Sequence, residues 1–204
     1  MKRIEISSRE NTPHFIGCWQ LDPNPFCVDI IKFFEAQTSR QNPGATMGGE
    51  NPEIKKSTDI VIDPVDLNTP ELECVSAYLD QLFQCHADYI AQWPFLKSFA
   101  PRLDLSSFNI QRYLPGEHFQ SIHSERSSLS GAHRLFAWMT YLNDVSDGGA
   151  TTFSHFGLDI QPRAGKTMIW PAEWTHAHAG QVLNAGKKYI ITGWMHFPPS
   201  NAAK

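Results

Sequence analysis

The chain has 204 residues, 41% hydrophobic and 19% charged, a balance that suits one folded domain and excludes a disordered polymer. Its formal charge of −4 supplies no bulk basic field, so neither nucleic acid nor an anionic membrane is expected as a partner. Thirteen Phe, five Tyr and six Trp provide bulk for a core and for an apolar pocket within it.

From Met1 to Phe15 the chain is polar and lacks the apolar stretch of a secretory leader, and no later run approaches the roughly 20 residues that cross a bilayer. A cytoplasmic location is expected. The four cysteines, Cys18, Cys27, Cys74 and Cys85, show no C-x-x-C spacing and read as buried free thiols. Asn24-Pro25 reads as a cap followed by a proline in the first helical turn, with Val28, Ile31 and Phe34 as the apolar stripe of that helix. A second helix is expected from Thr69-Pro70, its stripe running through Leu72, Val75, Leu79, Leu82 and Phe83 to Tyr89 and Ile90. Between them, residues 40–58 hold three glycines and no periodicity, which predicts a long loop of functional type. From Ser107 the pattern changes to short β-branched and aromatic runs: FNIQRY, HRLFAWMTYL, LDIQP, KTMIW and KKYIITGWMHF. Turn signals such as Pro115-Gly116 and Asp147-Gly148-Gly149 separate them, and the spacing predicts a sandwich or barrel. The expected organisation is one α+β domain over 1–204, with residues 1–100 as helical support and 101–199 as the strand-built core.

Nine histidines make chance pairings common, and composition alone predicts roughly one H-x-[D/E]. There are two. His86-Ala87-Asp88 falls on the second helix, where residues two apart point about 200° away from each other and cannot share a metal. His123-Ser124-Glu125 falls in strand-like sequence, where residues two apart share a face and can clamp an ion. A further ligand from a distant strand is offered by His176 or His178. Two imidazoles and a carboxylate are the donor set of a mononuclear iron site with open positions.

The stretch from Tyr113 to Trp194 resembles the prolyl 4-hydroxylase-like branch of the 2-oxoglutarate- and Fe(II)-dependent oxygenases, and within it a subgroup of marine bacteria and their phages. The matching residues run in order: Tyr113 with Gly116, His123-x-Glu125, Arg134, Tyr141-Leu142-Asn143-Asp144-Val145 and Gly148-Gly149-Ala150-Thr151-Thr152-Phe153. They continue through Ile160-x-Pro162-x-x-Gly165, His178-Ala179-Gly180, Gly186-Lys187-Lys188-Tyr189 and Trp194. The resemblance implies a double-stranded β-helix (jelly roll) with N-terminal supporting helices. It also implies iron on His123, Glu125 and His178, no catalytic residue beyond these ligands, and 2-oxoglutarate held by Lys188 and Tyr113 with Trp194 in the pocket. O2 is the co-reactant and ascorbate an accessory reductant. His178 is preferred to His176 because the family's cosubstrate lysine follows the distal histidine by ten positions, which here is Lys188. Alternation supports that lysine independently, since Lys188, Ile190, Thr192 and Trp194 share one strand face and Lys187, Tyr189 and Ile191 the other.

By the same resemblance, Arg134 stands near the substrate, Arg126 is a second candidate for that contact, and residues 40–58 with Lys55-Lys56 form a closing segment. Two departures stand out: Glu125 replaces the family's usual aspartate, and one extra residue separates Tyr113 from His123. The implied reaction is hydroxylation of an unactivated C–H, with a prolyl residue of a peptide or protein, or a small metabolite, as substrate, and with succinate and CO2 as coproducts. Two other readings compete: a cupin-like metalloenzyme using His123, His176 and His178 without 2-oxoglutarate, and a non-catalytic jelly-roll binding module.

Overall fold

Alternation along the strands sets the architecture. The structure is a computed structural model that describes residues 13–199; the polar segment read as lacking a leader lies, up to residue 12, outside them. In chain order the elements are β1 (Gly17–Gln20), α1 (Phe26–Ala36), β2 (Asn42–Pro43), β3 (Thr58–Ile62), α2 (Glu73–Gln92) and α3 (Phe95–Phe99). They continue with β4 (Asp104–Leu105), β5 (Phe108–Tyr113), β6 (Phe119–His123), β7 (Arg134–Tyr141) and β8 (Thr151–Phe153). The last are β9 (Leu158–Ile160), β10 (Lys166–Pro171), β11 (His178–Gly180) and β12 (Lys188–His196).

Among the described residues these strands form two antiparallel sheets. The larger runs β1-β10-β7-β12-β5-β3-β2, with β4 on the far end of β12; the smaller runs β6-β11-β8-β9. On β7, Phe136 and Trp138 face the helices, while Ala137, Met139 and Tyr141 face the smaller sheet; on β12, Tyr189 and Ile191 face the helices and Ile190 does not. The large sheet therefore carries two cores, one against α1 and α2 and one inside the sandwich. No described helix is long and apolar enough to cross a membrane.

The N-terminal half is less purely helical than its pattern suggests, since β1, β2 and β3 join the large sheet. Thr58-Asp59-Ile60-Val61-Ile62 is a β-branched run that extends the sheet beyond β5. It begins where the long loop ends, and β2 and a tight turn over Thr46–Gly49 break up the loop itself.

Both helices exist, each with its apolar stripe shifted. Helix α1 buries Phe26, Cys27, Ile30, Phe33 and Phe34, leaving Val28 exposed, because this face gathers three aromatic rings where the Val28 face gathers one. Helix α2 follows a short 3-10 turn over Pro70–Leu72 and buries Val75, Tyr78, Leu79, Leu82, Cys85 and Tyr89, whereas Phe83 lies on the open side. Tyr78 is anchored by a buried hydroxyl chain, bonding Thr140 at 2.8 Å, which bonds Thr167 at 2.7 Å. All four cysteines are free, but only Cys27 and Cys85 are buried; Cys18 is exposed and Cys74 half-buried.

The placement of α2 yields a paired expectation. Leu82→Ala empties a buried site and lowers unfolding free energy by about 2–5 kcal/mol, whereas Phe83→Ala changes it by about 0.5 kcal/mol or less. Urea unfolding of the two variants beside the unaltered protein checks the helix register.

Candidate metal centre

The sandwich interior opens into a cavity of about 500 Å³. Its floor holds three side chains with ligand atoms within 4.8 Å of one another: His123, Glu125 and His178. His123 ends β6, and antiparallel pairing sets it directly opposite His178 at the start of β11. Glu125 lies beyond β6 on a bend, so its approach comes from a backbone turn rather than from the strand alternation the sequence suggested. Its Oε1 lies 3.4 Å from Nε2 of His178 and 4.0 Å from Nε2 of His123.

Both imidazoles are oriented from behind. His123 Nδ1 donates to the Ser121 carbonyl at 2.8 Å, and His178 Nδ1 to the His176 carbonyl at 3.0 Å. A carbonyl only accepts, so each Nδ1 carries a proton, and Nε2 is the nitrogen turned toward Glu125. Burial pushes His123 down to about 4, reinforced by His178, which keeps the ring neutral near pH 7. For Glu125, burial alone would raise the pKa. The imidazoles beside it, His178 before His123, and the indole N–H of Trp194 outweigh it and hold the carboxyl at about 2. Two imidazole nitrogens and one carboxylate oxygen, gathered on the lining of a cavity, are a donor set that fits a divalent iron.

The same cavity is lined by Lys188, 3% exposed and paired across the sheet with Tyr113. Its Nζ donates to the Gly149 carbonyl at 2.8 Å and sits 4.6 Å above the Tyr113 ring; among the described residues no carboxylate lies within ion-pair distance. Burial pushes its pKa down to about 8. The Gly148-Gly149 pair makes room for it. Both glycines have positive φ (76° and 69°), and a Cβ on Gly149 would press to 3.1 Å of the lysine side chain. The Tyr113 hydroxyl donates to Gln111 Oε1 at 2.8 Å rather than pointing free into the cavity.

Trp194 donates its indole N–H to Glu125 Oε2 at 2.5 Å. The Arg134 guanidinium stacks 3.7 Å over that indole and donates to the Glu125 carbonyl at 3.1 Å. Phe119 stacks on His123 with ring centres 3.8 Å apart.

Residues 108–196, which carry this whole arrangement, match the 2OG-Fe(II) oxygenase superfamily. The match takes in less than half of the chain but includes His123, Glu125, His178 and Lys188. The human prolyl 4-hydroxylase subunit alpha-1 is 29% identical over 75 residues, covering 33% of this chain and 14% of that protein. A probable prolyl 4-hydroxylase 9 of Arabidopsis thaliana is 23% identical over 134 residues, 53% of this chain and 46% of that one. The chain therefore spans less than half the length of these curated relatives. Among solved structures, a Pseudomonas putida prolyl-4-hydroxylase aligns with a TM-score of 0.68 at 19% identity, over 91% of this chain and 94% of its own. A viral collagen prolyl hydroxylase from Paramecium bursaria Chlorella virus-1 aligns with a TM-score of 0.62 at 17% identity, over 91% and 97%. These likenesses confirm the double-stranded β-helix expected from the sequence.

Two sequence readings do not hold. Arg126 is not a cavity residue: its guanidinium pairs with Glu173 on the loop after β10, and its backbone N–H bonds the Ala172 carbonyl at 3.2 Å. His176 lies outside the ligand cluster, its Nδ1 and Nε2 engaged by Thr175 and the His14 carbonyl, which removes the three-histidine arrangement of the cupin-like reading. His86 and Asp88 diverge as the helix geometry requires, Asp88 accepting from the Trp19 indole at 3.0 Å.

The sequence reading missed Gln111 and the partners beneath it. Gln111 donates to Asp59 at 3.1 Å; Asp59 also accepts from Lys55 at 2.6 Å and from Ser57 at 2.8 Å. The signal was present, because Asn109, Gln111 and Tyr113 share a face of β5 and all line the cavity.

His178→Ala and His123→Ala are each expected to abolish tight Mn(II) binding by the metal-free protein, with the circular dichroism spectrum retained. His176→Ala should bind Mn(II) like the unaltered chain; electron paramagnetic resonance titration separates the cases.

Proposed function

We propose that the chain is a 2-oxoglutarate- and Fe(II)-dependent dioxygenase that hydroxylates an unactivated C–H of a peptide or protein, with a prolyl residue as the leading candidate. One observation carries the reading: a buried lysine with no carboxylate partner among the described residues shares a cavity with a two-histidine, one-carboxylate cluster. A buried cation is unfavourable unless an anion meets it. Lys188 would meet the distal carboxylate of 2-oxoglutarate, and the iron would take the other end.

His123, Glu125 and His178 would hold the iron, which when bound supplies the oxidising power that couples decarboxylation of 2-oxoglutarate to succinate with C–H hydroxylation. The residues around it do the positioning. The Ser121 and His176 carbonyls fix the two imidazoles, and Trp194 fixes the carboxylate. Met139, Trp170 and Ile190 line the cavity with apolar surface and keep bulk water from the cosubstrate site. Tyr113 supports Lys188 with its ring face and, through Gln111, belongs to the polar network around Asp59. Arg134, at the Trp194 end of the cavity, would meet a substrate carbonyl. The peptide assignment draws support from the Trichoplax adhaerens prolyl hydroxylase, a structural neighbour at TM-score 0.66 and 13% identity solved with a hypoxia inducible factor peptide fragment. Residues 45–48, which border the cavity, would cover the bound substrate. The protein would act in the cytoplasm, with ascorbate serving to restore the ferrous state.

Anaerobic addition of Fe(II) and then 2-oxoglutarate should produce the weak visible charge-transfer band of the ternary complex, and air should then yield succinate. A metal-loaded protein that develops no band and forms no succinate would sink the proposal. The pH dependence is also set. Lys188 is cationic below about pH 8 and loses its charge above it, so 2-oxoglutarate affinity should weaken as pH rises through 8. The pH profile of Lys188→Met should be flat through that range at an affinity lower by tenfold or more, whereas Lys187→Met should bind like the unaltered chain.

A further inference from the structure

Glu125 has one methylene more than aspartate and sits on a bend past the end of β6, so its carboxylate must be steered to present Oε1 to both imidazoles. A carboxylate offers two oxygens, and fixing one by a strong donor aims the other. Trp194 supplies that donor at 2.5 Å on Oε2, a short bond from an N–H to a carboxylate. The indole is itself immobilised, since Arg134 lies 3.7 Å over its face while bonding the backbone carbonyl of Glu125 at 3.1 Å. Ring, guanidinium and glutamate thus close a small loop of contacts connecting β12, β7 and the bend after β6.

We propose that Trp194 is the positioning residue for this carboxylate. Its N–H takes Oε2 so that Oε1 faces His123 and His178, and this makes the longer side chain serviceable as a ligand. The assignment rests on reading those three residues as metal ligands. It gives Trp194 a role distinct from contact with 2-oxoglutarate: the residue acts on the metal through Glu125.

Mn(II) binding to the metal-free protein, without cosubstrate, tests the proposal in a four-variant cycle. Trp194→Phe in the Glu125 protein should weaken Mn(II) binding by about 10–100-fold, the range seen when a group orienting a ligand is lost. In a Glu125→Asp background the shorter side chain cannot reach the indole, and adding Trp194→Phe should change affinity by less than threefold. Equal losses in the two backgrounds would make Trp194 a packing residue and overturn the proposal, as would unchanged affinity in the Glu125 protein. If Trp194→Phe does not fold, Trp194→3-benzothienylalanine keeps the bicyclic shape, removes the N–H and carries the same expectation. An unaltered chain that fails to bind Mn(II) would overturn the metal reading itself, whereas normal binding that is insensitive to the N–H would overturn only this one.

Discussion

Strand β12 must satisfy two environments at once, and the rest of the structure follows from that constraint. It lies between β7 and β5 in the large sheet, so its backbone is fixed on both sides and its side chains must alternate strictly. Tyr189, Ile191 and Met195 belong to the core beneath the helices, while Lys188, Ile190, Thr192 and Trp194 face the cavity. A slip of one residue would drive a lysine into the helix-packing core and empty the cavity of its cation and of the indole that holds Glu125. The helices do more than cover a sheet: the surface they bury locks the register on which the site depends.

Two lysines are buried in this cavity, and their surroundings separate architecture from chemistry. Lys55, 4% exposed, meets Asp59 at 2.6 Å, and Asp59 in turn is held by Ser57 and Gln111. That charge is balanced within the protein, and its role is to fasten the chain around residue 55 to β3. Lys188 has a carbonyl and a ring face but no anion among the described residues, which is what recommends it as the anion-binding group of the proposed function. Burial depth is nearly the same for both. The partner, not the burial, distinguishes a structural cation from a binding one.

Much of the site was legible because strand alternation is a local rule. The inward set on β12 could be read from KKYIITGWMHF, while the choice of His178 over His176 came from the family resemblance, whose lysine follows the distal histidine by ten positions. The helix stripes were harder to place, because Val28 and Phe83 compete with neighbours one step away and only the sheet beneath decides which face gains more burial. The early strands escaped notice for a related reason: β1 is four residues long and β2 two, too short for a period, and they form because the large sheet offers edges to pair with. Arg126 could not have been separated from Arg134 by sequence, since the difference lies in Glu173, brought within reach by the fold from 47 positions away.

The segment bordering the cavity is tied at both feet. Near its start, the Gly44 N–H bonds the Ser57 carbonyl at 2.9 Å; near its end, Lys56 and His118 exchange two backbone bonds of 2.8 and 3.0 Å just before the strand that carries His123. Between these ties it can bow but cannot swing away as a hinged door would. What borders the cavity is thus a strap rather than a door: its middle can bow while its ends stay fastened beside β3 and to the chain entering β6.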